Sequence, residues 1–282
     1  MIAVLGGLGA AVAWAATMLT ASRASPLIGS WSTLAWVMLT GLLVVGPVAL
    51  VQGRPGGLDR GAMTWLAIAG FGNITGLLLV YTALRIGKVG VIAPLSSTEG
   101  AVAAIIAVAA GETLGAWTAL ALLVVAAGVV LAARPPAEPD EAGHDDPRAA
   151  LLALAAALAF GAGLYATGRA SLDLPIAWAV LPPRLLGVVF VTVPLALSGR
   201  LRLTRKAVPF VVASGLAEVV GFVSYALGAR HGIAIAAVLA SQFAALAAVG
   251  AAVLFKERLT RAGVAGVVVI AVGVAVVSAL QA

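Results

Sequence analysis

The chain has 282 residues, 62% of them hydrophobic and only 10% charged, against about 25% charged residues in an ordinary soluble domain. That balance excludes a globule covered by polar surface. Cysteine is absent, which excludes disulfides, thiolate catalysis and cysteine metal sites, and the net charge of +6 forms no basic stripe with interleaved aromatics, so nucleic acid is not an expected partner.

Taken in chain order, the apolar runs predict ten transmembrane helices, at residues 2–22, 30–51, 61–84, 89–110, 114–133, 149–169, 175–197, 207–228, 232–254 and 261–280. Each is close to the ~20 residues needed to cross a hydrocarbon core of about 30 Å. The first run lacks a basic start and is long enough to span, so it reads as a helix of the protein and not as a signal peptide. Most breaks are a few residues long and make successive helices antiparallel neighbours. The exception is RPPAEPDEAGHDDPR, residues 134–148, whose prolines and five acids mark an exposed linker.

The linker divides the chain into residues 1–133 and 149–282, five predicted spans each, and the halves resemble one another. A shift of 145 residues aligns Gly70 with Gly215, Gly76 with Gly221, Arg85 with Arg230, Ser96 with Ser241 and Glu112 with Glu257. One residue further, Arg23-Ala24-Ser25 falls on Arg169-Ala170-Ser171, and Gly53-Arg54 on Gly199-Arg200. A repeat with an odd number of spans enters the membrane in opposite senses in its two copies. The predicted fold is therefore an all-α polytopic membrane protein, ten transmembrane helices arranged as two inverted five-helix repeats around a central cavity, as in many secondary transporters. Counting Lys and Arg over the short loops favours both termini outside.

Three charged residues lie well inside predicted spans: Glu99, Arg184 and Glu218. Charge at a helix centre costs about 2.5–3.5 kcal/mol on insertion scales, so each is expected to face a cavity or a partner. Glu218 shares a helical face with Gly221, Phe222 and Tyr225, and it aligns with Asn73, giving Gly-x-x-Glu-x-x-Gly in one half and Gly-x-x-Asn-x-x-Gly in the other. That face either lines a pocket or packs a neighbouring helix. Gly72 and Gly76 stand at a spacing that favours close helix packing. In PLSSTEG, Ser96, Ser97 and Glu99 form a polar patch in an apolar run. The patch aligns with Ser241, Gln242 and Ala244, and Pro94 removes a backbone hydrogen bond beside it. Arg184 pairs with an acid, meets a substrate carboxylate or snorkels to an interface. Trp14, with Thr17 and Met18, makes a face of the first span, and Phe160 sits near the matching place in the sixth.

Enzyme chemistry finds little support. His144 and His231 share no span with a candidate serine, the adjacent Asp145 and Asp146 lie in the linker, and no phosphate-binding glycine loop is present. No cofactor and no metal are expected.

STEGAVAAIIAVAAGETLG, with its partner SQFAALAAVGAAVLFKERLT, resembles the repeated signature of the drug/metabolite transporter superfamily in its ten-span EamA-type branch. Glu99-Gly100 takes the place of a mid-helix Glu-Pro, Gly111-Glu112 and Lys256-Glu257 take the place of the turn, and Arg184 stands where the branch commonly has an arginine. The likeness covers nearly the whole chain, and within the branch it is nearest to amino-acid exporters of the YddG type. Gly100, Met38, Gln242 and Ala244 depart from the pattern. The resemblance implies alternating access around a cavity lined from both halves.

The expected function is export of amino acids or related small metabolites across a bacterial-type inner membrane, with export of drugs or lipophilic cations as the rival and a membrane-embedded enzyme as a remote third. The expected substrate-binding residues are Trp14, Asn73, Ser96, Ser97, Glu99, Phe160, Glu218, Phe222, Tyr225 and Gln242. Expected partners are the small-molecule substrate, the lipid bilayer and protons, the last carried on Glu99 or Glu218. A monomer is expected.

Overall fold

A computed structural model describes residues 1–84, 86, 89–132, 147–255 and 261–281. The described elements are helical: α1 (Ile2–Ile28), α2 (Ser30–Gln52), α3 (Arg60–Leu84), α4 (Val89–Ser96), α5 (Glu99–Ala109), α6 (Ala116–Ala132), α7 (Pro147–Asp173), α8 (Ile176–Gly187), a π-helical turn (Val188–Thr192), α9 (Val193–Leu197), α10 (Val208–Ala229), α11 (Ile233–Ala240), α12 (Phe243–Phe255) and α13 (Arg261–Leu280).

Among the described residues, eight helical stretches are long and apolar enough to cross a membrane, and Glu99–Ala109 and Ala116–Ala132 are shorter apolar helices. The difference from ten has a local cause. The predicted fourth span is divided at Ser97 and Thr98 into α4 and α5, and α6 has 17 residues. The predicted ninth span is interrupted in the same way, at Ser241 and Gln242 between α11 and α12. Hydroxyls take up carbonyls at both breaks: Thr98 Oγ1 donates to Leu95 O at 2.7 Å and Ser241 Oγ to Val238 O at 2.9 Å. Bonds to the third residue back tighten the last turns and compete with the regular ladder. A proline accompanies only the first break, so the hydroxyls are the shared device.

Two ends also differ from the sequence reading. The first helix continues past residue 22 to Ile28, and the sixth predicted span runs from Pro147 to Asp173. Arg23 and Arg169 thus sit inside helices, ahead of their last turns, and Arg169 pairs with Asp173 one turn on at 2.9 Å. Of the predicted linker, Pro147 and Arg148 open α7; residues 134–146 lie outside the described residues, as do Arg85, Lys88 and the turn at 256–260.

Packing crosses the linker. The most extensive helix pairings are α3 along α7 and α1 along α10, each joining one helix from either side of it. Small residues allow this closeness: a Cβ at Gly6 would collide with the Gly228 backbone, and a Cβ at Gly228 would meet Gly6 Cα at 2.9 Å. The outward faces are apolar, with Leu43, Ile105, Trp117 and Val253 all well exposed, as a lipid-facing surface requires.

One end of the bundle is tied together by polar contacts. The Glu112 carboxylate, in the turn after α5, accepts from the N–H groups of Ile233 (3.0 Å) and Ala234 (3.1 Å) at the start of α11. Those N–H groups have no partner within their own helix. Arg230 Nε and Nη2 donate to Ser171 O and Leu174 O at 2.6 and 2.9 Å, and Trp178 Nε1 donates to Gly53 O at 3.1 Å. Glu112→Ala removes a charged helix cap that also bridges the two sides of the linker. It is expected to lower stability by about 1–2 kcal/mol, read as a lower thermal midpoint of the purified protein in detergent.

Candidate functional site

Between these helices lies a cavity of about 430 Å³, within the size range of small-molecule sites. Its lining follows α1 from Trp14 to Ser25 and α2 from Ser30 to Met38, and reaches Leu77 and Val80 of α3. It therefore runs from mid-depth toward the turn between α1 and α2, away from the end tied by Glu112 and Arg230.

Eight of the ten residues singled out in the sequence meet here. Trp14 comes from α1, Asn73 from α3, Ser96, Ser97 and Glu99 from the α4–α5 break and its two flanks, Phe160 from α7, and Glu218 and Phe222 from α10. Asn73 and Glu218, aligned by the repeat, both reach the cavity. Gly72 and Gly76 do what their spacing suggests. A Cβ at Gly72 would meet Ala159 O and Gly163 of α7, and one at Gly76 would meet the Phe160 ring.

Tyr225 and Gln242 lie outside the lining. Tyr225 is fully buried and its hydroxyl donates to Leu164 O at 2.8 Å, joining α10 to α7. Gln242 is 2% exposed within the α11–α12 break, and the chain turns there so that Phe243 and Ala244 reach the cavity instead. The sequence reading also missed the contribution of α2, which supplies Thr33, Leu34, Val37 and Met38. The signal available for that helix was Met38, standing where the resembling branch carries an arginine. Ser214 and Thr17 line the cavity and bond reciprocally: Thr17 Oγ1 donates to Ser214 O at 3.3 Å and Ser214 Oγ to Thr17 O at 3.1 Å.

Arg184 settles among the readings open to it by pairing with an acid. Its Nη2 stands 3.6 Å from Glu218 Oε1 and donates to the Glu218 backbone carbonyl at 3.2 Å. Its guanidinium carbon lies 4.0 Å from the centroid of the Phe222 ring, so an aromatic face supports the group whose Nε and Nη1 have no hydrogen-bond partner among the described residues. Gly41 of α2 makes room for the stem; a Cβ there would meet Arg184 Cγ at 3.0 Å. Phe222 in turn meets Trp14 edge-on at 4.9 Å, and Trp14 meets Phe243 edge-on at 6.0 Å. The wall is one connected stack, Glu218–Arg184–Phe222–Trp14–Phe243.

Among the described residues no cluster of His, Cys, Asp or Glu could hold a metal ion. The arrangement is that of a multi-pass membrane protein with an internal solute-sized cavity lined by aromatic rings, hydroxyls and two acids. The model of the EamA-like transporter family matches residues 1–134 and 147–279, and the chain belongs to that family. Its members are transporters of small solutes and not enzymes. A solved crystal structure of a protein shares the fold with a TM-score of 0.78 at 18% sequence identity, covering 99% of this chain and 97% of its own. No curated protein matches the sequence.

The pair is unequal in its surroundings: Arg184 is 1% exposed, whereas the Glu218 side chain is 15% exposed and borders the cavity. Glu218→Gln is therefore expected to cost about 3 kcal/mol, since it strands a buried cation. Arg184→Met is expected to cost less, because water in the cavity can still reach Glu218. Thermal unfolding of the two variants and their double mutant checks this, and the reverse order contradicts the assignment of Arg184 as the enclosed member.

Proposed function

We propose that the protein is a secondary transporter which exports amino acids or related small metabolites across a bacterial-type inner membrane by alternating access. The observation that carries this reading is the cavity itself: residues from both sides of the linker bring two acids, an amide and aromatic rings to mid-depth in an otherwise apolar bundle. Polar groups at that depth are retained where they serve a solute path.

A ten-span, inverted-repeat architecture with halves at 1–133 and 149–282 underlies the proposal. Several features support it. Helices α4 and α11, aligned by the repeat, both end in a two-residue break. Gly53 and Gly199, also aligned, both have positive φ, 67° and 66°. Discontinuous spans at related positions are a recurrent way to build a transport site. Lys and Arg counts favour termini outside, which makes the cavity end near Ser25 and Ser30 the cytoplasmic one. The cavity then receives solute from the cytoplasm, in keeping with export.

Trp14, Asn73, Ser96, Ser97, Glu99, Phe160, Glu218 and Phe222 are the proposed substrate contacts, with Tyr225 and Gln242 supporting them from behind. Glu99 or Glu218 would carry the coupling proton. Export of lipophilic cations is the second reading, favoured by acids beside aromatic walls.

Purified protein in liposomes is expected to exchange internal unlabelled solute for external labelled solute within a panel of amino acids, amines and cationic dyes. A panel without any exchange contradicts the transport reading. Accumulation driven by a pH gradient is expected to be lost when Glu99 and Glu218 are both replaced by Gln; unchanged accumulation rules out a proton carried on these acids.

A further inference from the structure

The charge balance of the cavity narrows the solute, on the premise that the cavity is the transport site. The charged side chains on its described lining are Glu99 and Glu218, and no Lys, Arg or His lines it among the described residues. Glu218 is offset by Arg184 at 3.6 Å. Arg184 itself is enclosed, and Glu218 and Phe222 line the cavity where it does not. Glu99 makes no ion pair with any described residue. The lining thus holds one acidic side chain without a partner cation among the described residues.

The hydrogen-bonding groups point the same way. Four of the hydroxyls that line the cavity are turned to backbone carbonyls: Thr33 donates to Gly29 O at 3.0 Å, Thr167 to Gly163 O at 2.8 Å, and Thr17 and Ser214 to one another's backbone. Their protons are committed. Asn73 Oδ1, an acceptor on a lining residue, is buried without a hydrogen-bond partner among the described residues. Trp14 Nε1 is also unpartnered, but it packs against Gly221. Four lining hydroxyls are thus spent as donors, while the Asn73 acceptor is left open. Buried groups left in that condition are costly unless a ligand satisfies them.

We infer that the site binds a small organic monocation, a protonated or quaternary amine on an apolar, aromatic-sized body without a carboxylate. The ammonium meets Glu99 and the Asn73 amide oxygen, and the rings of Trp14, Phe222 and Phe160 receive the apolar body and the outer face of the charge. The carboxylate of a free amino acid would face two acids and find no lining cation, at a depth where unmatched charge is excluded. Among metabolites related to amino acids, the favoured class is therefore their decarboxylated amines and esters.

Isothermal titration calorimetry on the purified full-length chain tests this with phenethylamine, L-phenylalanine and N-acetyl-L-phenylalanine. Phenethylamine is expected to bind at least ~10-fold more tightly than phenylalanine, and the N-acetyl compound, an anion, not to bind. Glu99→Gln is expected to weaken phenethylamine binding about tenfold or more, with much of the loss recovered in Glu99→Asp. The thermal midpoint of each variant reports folding, and if Glu99→Gln does not fold, the ligand order on the unaltered protein decides. Phenylalanine binding as tightly as phenethylamine, or Glu99→Gln binding phenethylamine undiminished, overturns the inference and leaves the transport reading standing. No binding of any of the three overturns it as well, and liposome exchange then judges the transport reading separately.

Discussion

A guanidinium held inside a membrane bundle has to be matched, and the matching of Arg184 organises much of its surroundings. Glu218 offsets its charge, the Phe222 ring supports its face, and Gly41 makes room for its stem. These demands fix the rotational setting of α10 against α8 and α2. That setting carries Glu218 and Phe222 to the cavity and brings Phe222 edge-on to Trp14. A buried pair of this kind is weak evidence for stability, because desolvation consumes much of the attraction. Its value here is positional: the ion pair holds an acid and two aromatic rings in place around a space that solvent or solute can enter.

The second constraint is backbone satisfaction in an apolar medium. Helices can break inside a membrane only where the freed groups are bonded or face a polar cavity. Both breaks obey this. Thr98 and Ser241 take carbonyls of the preceding turn, and the next helices bring Glu99 and Phe243 to the cavity. Breaks of this sort also interrupt the rigid rod of a span. At the other end Glu112 and Trp178 bridge helices from both sides of the linker through backbone hydrogen bonds, and Arg230 ties α10 to the close of α7 in the same way. Such bonds exchange for water without stranding a charge in hydrocarbon.

Much of the fold was legible because polarity is so scarce in this chain. Ten apolar runs, their punctuation and a repeat detectable at Arg, Glu and Ser were enough to expect a polytopic helical protein with a central cavity, and Asn73, Glu99 and Glu218 stood out against an Ala- and Val-rich background. Legibility failed where the deciding feature was not a residue type. Arg23 and Arg169 looked like loop residues because they are charged, yet each lies near the close of a helix whose end is set further along the chain, by Gly29 in one case and by the pairing with Asp173 in the other. Gln242 was favoured for its amide, but the two-residue turn at the second break passes the cavity to Phe243. No proline announces that turn. Tyr225 shares the helical face of Glu218, and only the packing of α7 shows its hydroxyl meeting Leu164 O. The part played by α2 is carried by Thr33, Leu34, Val37 and Met38, ordinary residues for any membrane span.

The central claim is that solute passes through the cavity beneath Trp14. The chain has no cysteine, so a single one can be followed without background. Met18 lines the cavity and is 45% exposed. In Met18→Cys protein reconstituted in liposomes, a maleimide that enters the cavity is expected to block solute exchange, and a transported amine is expected to slow the labelling. Full labelling that leaves exchange unchanged contradicts the account.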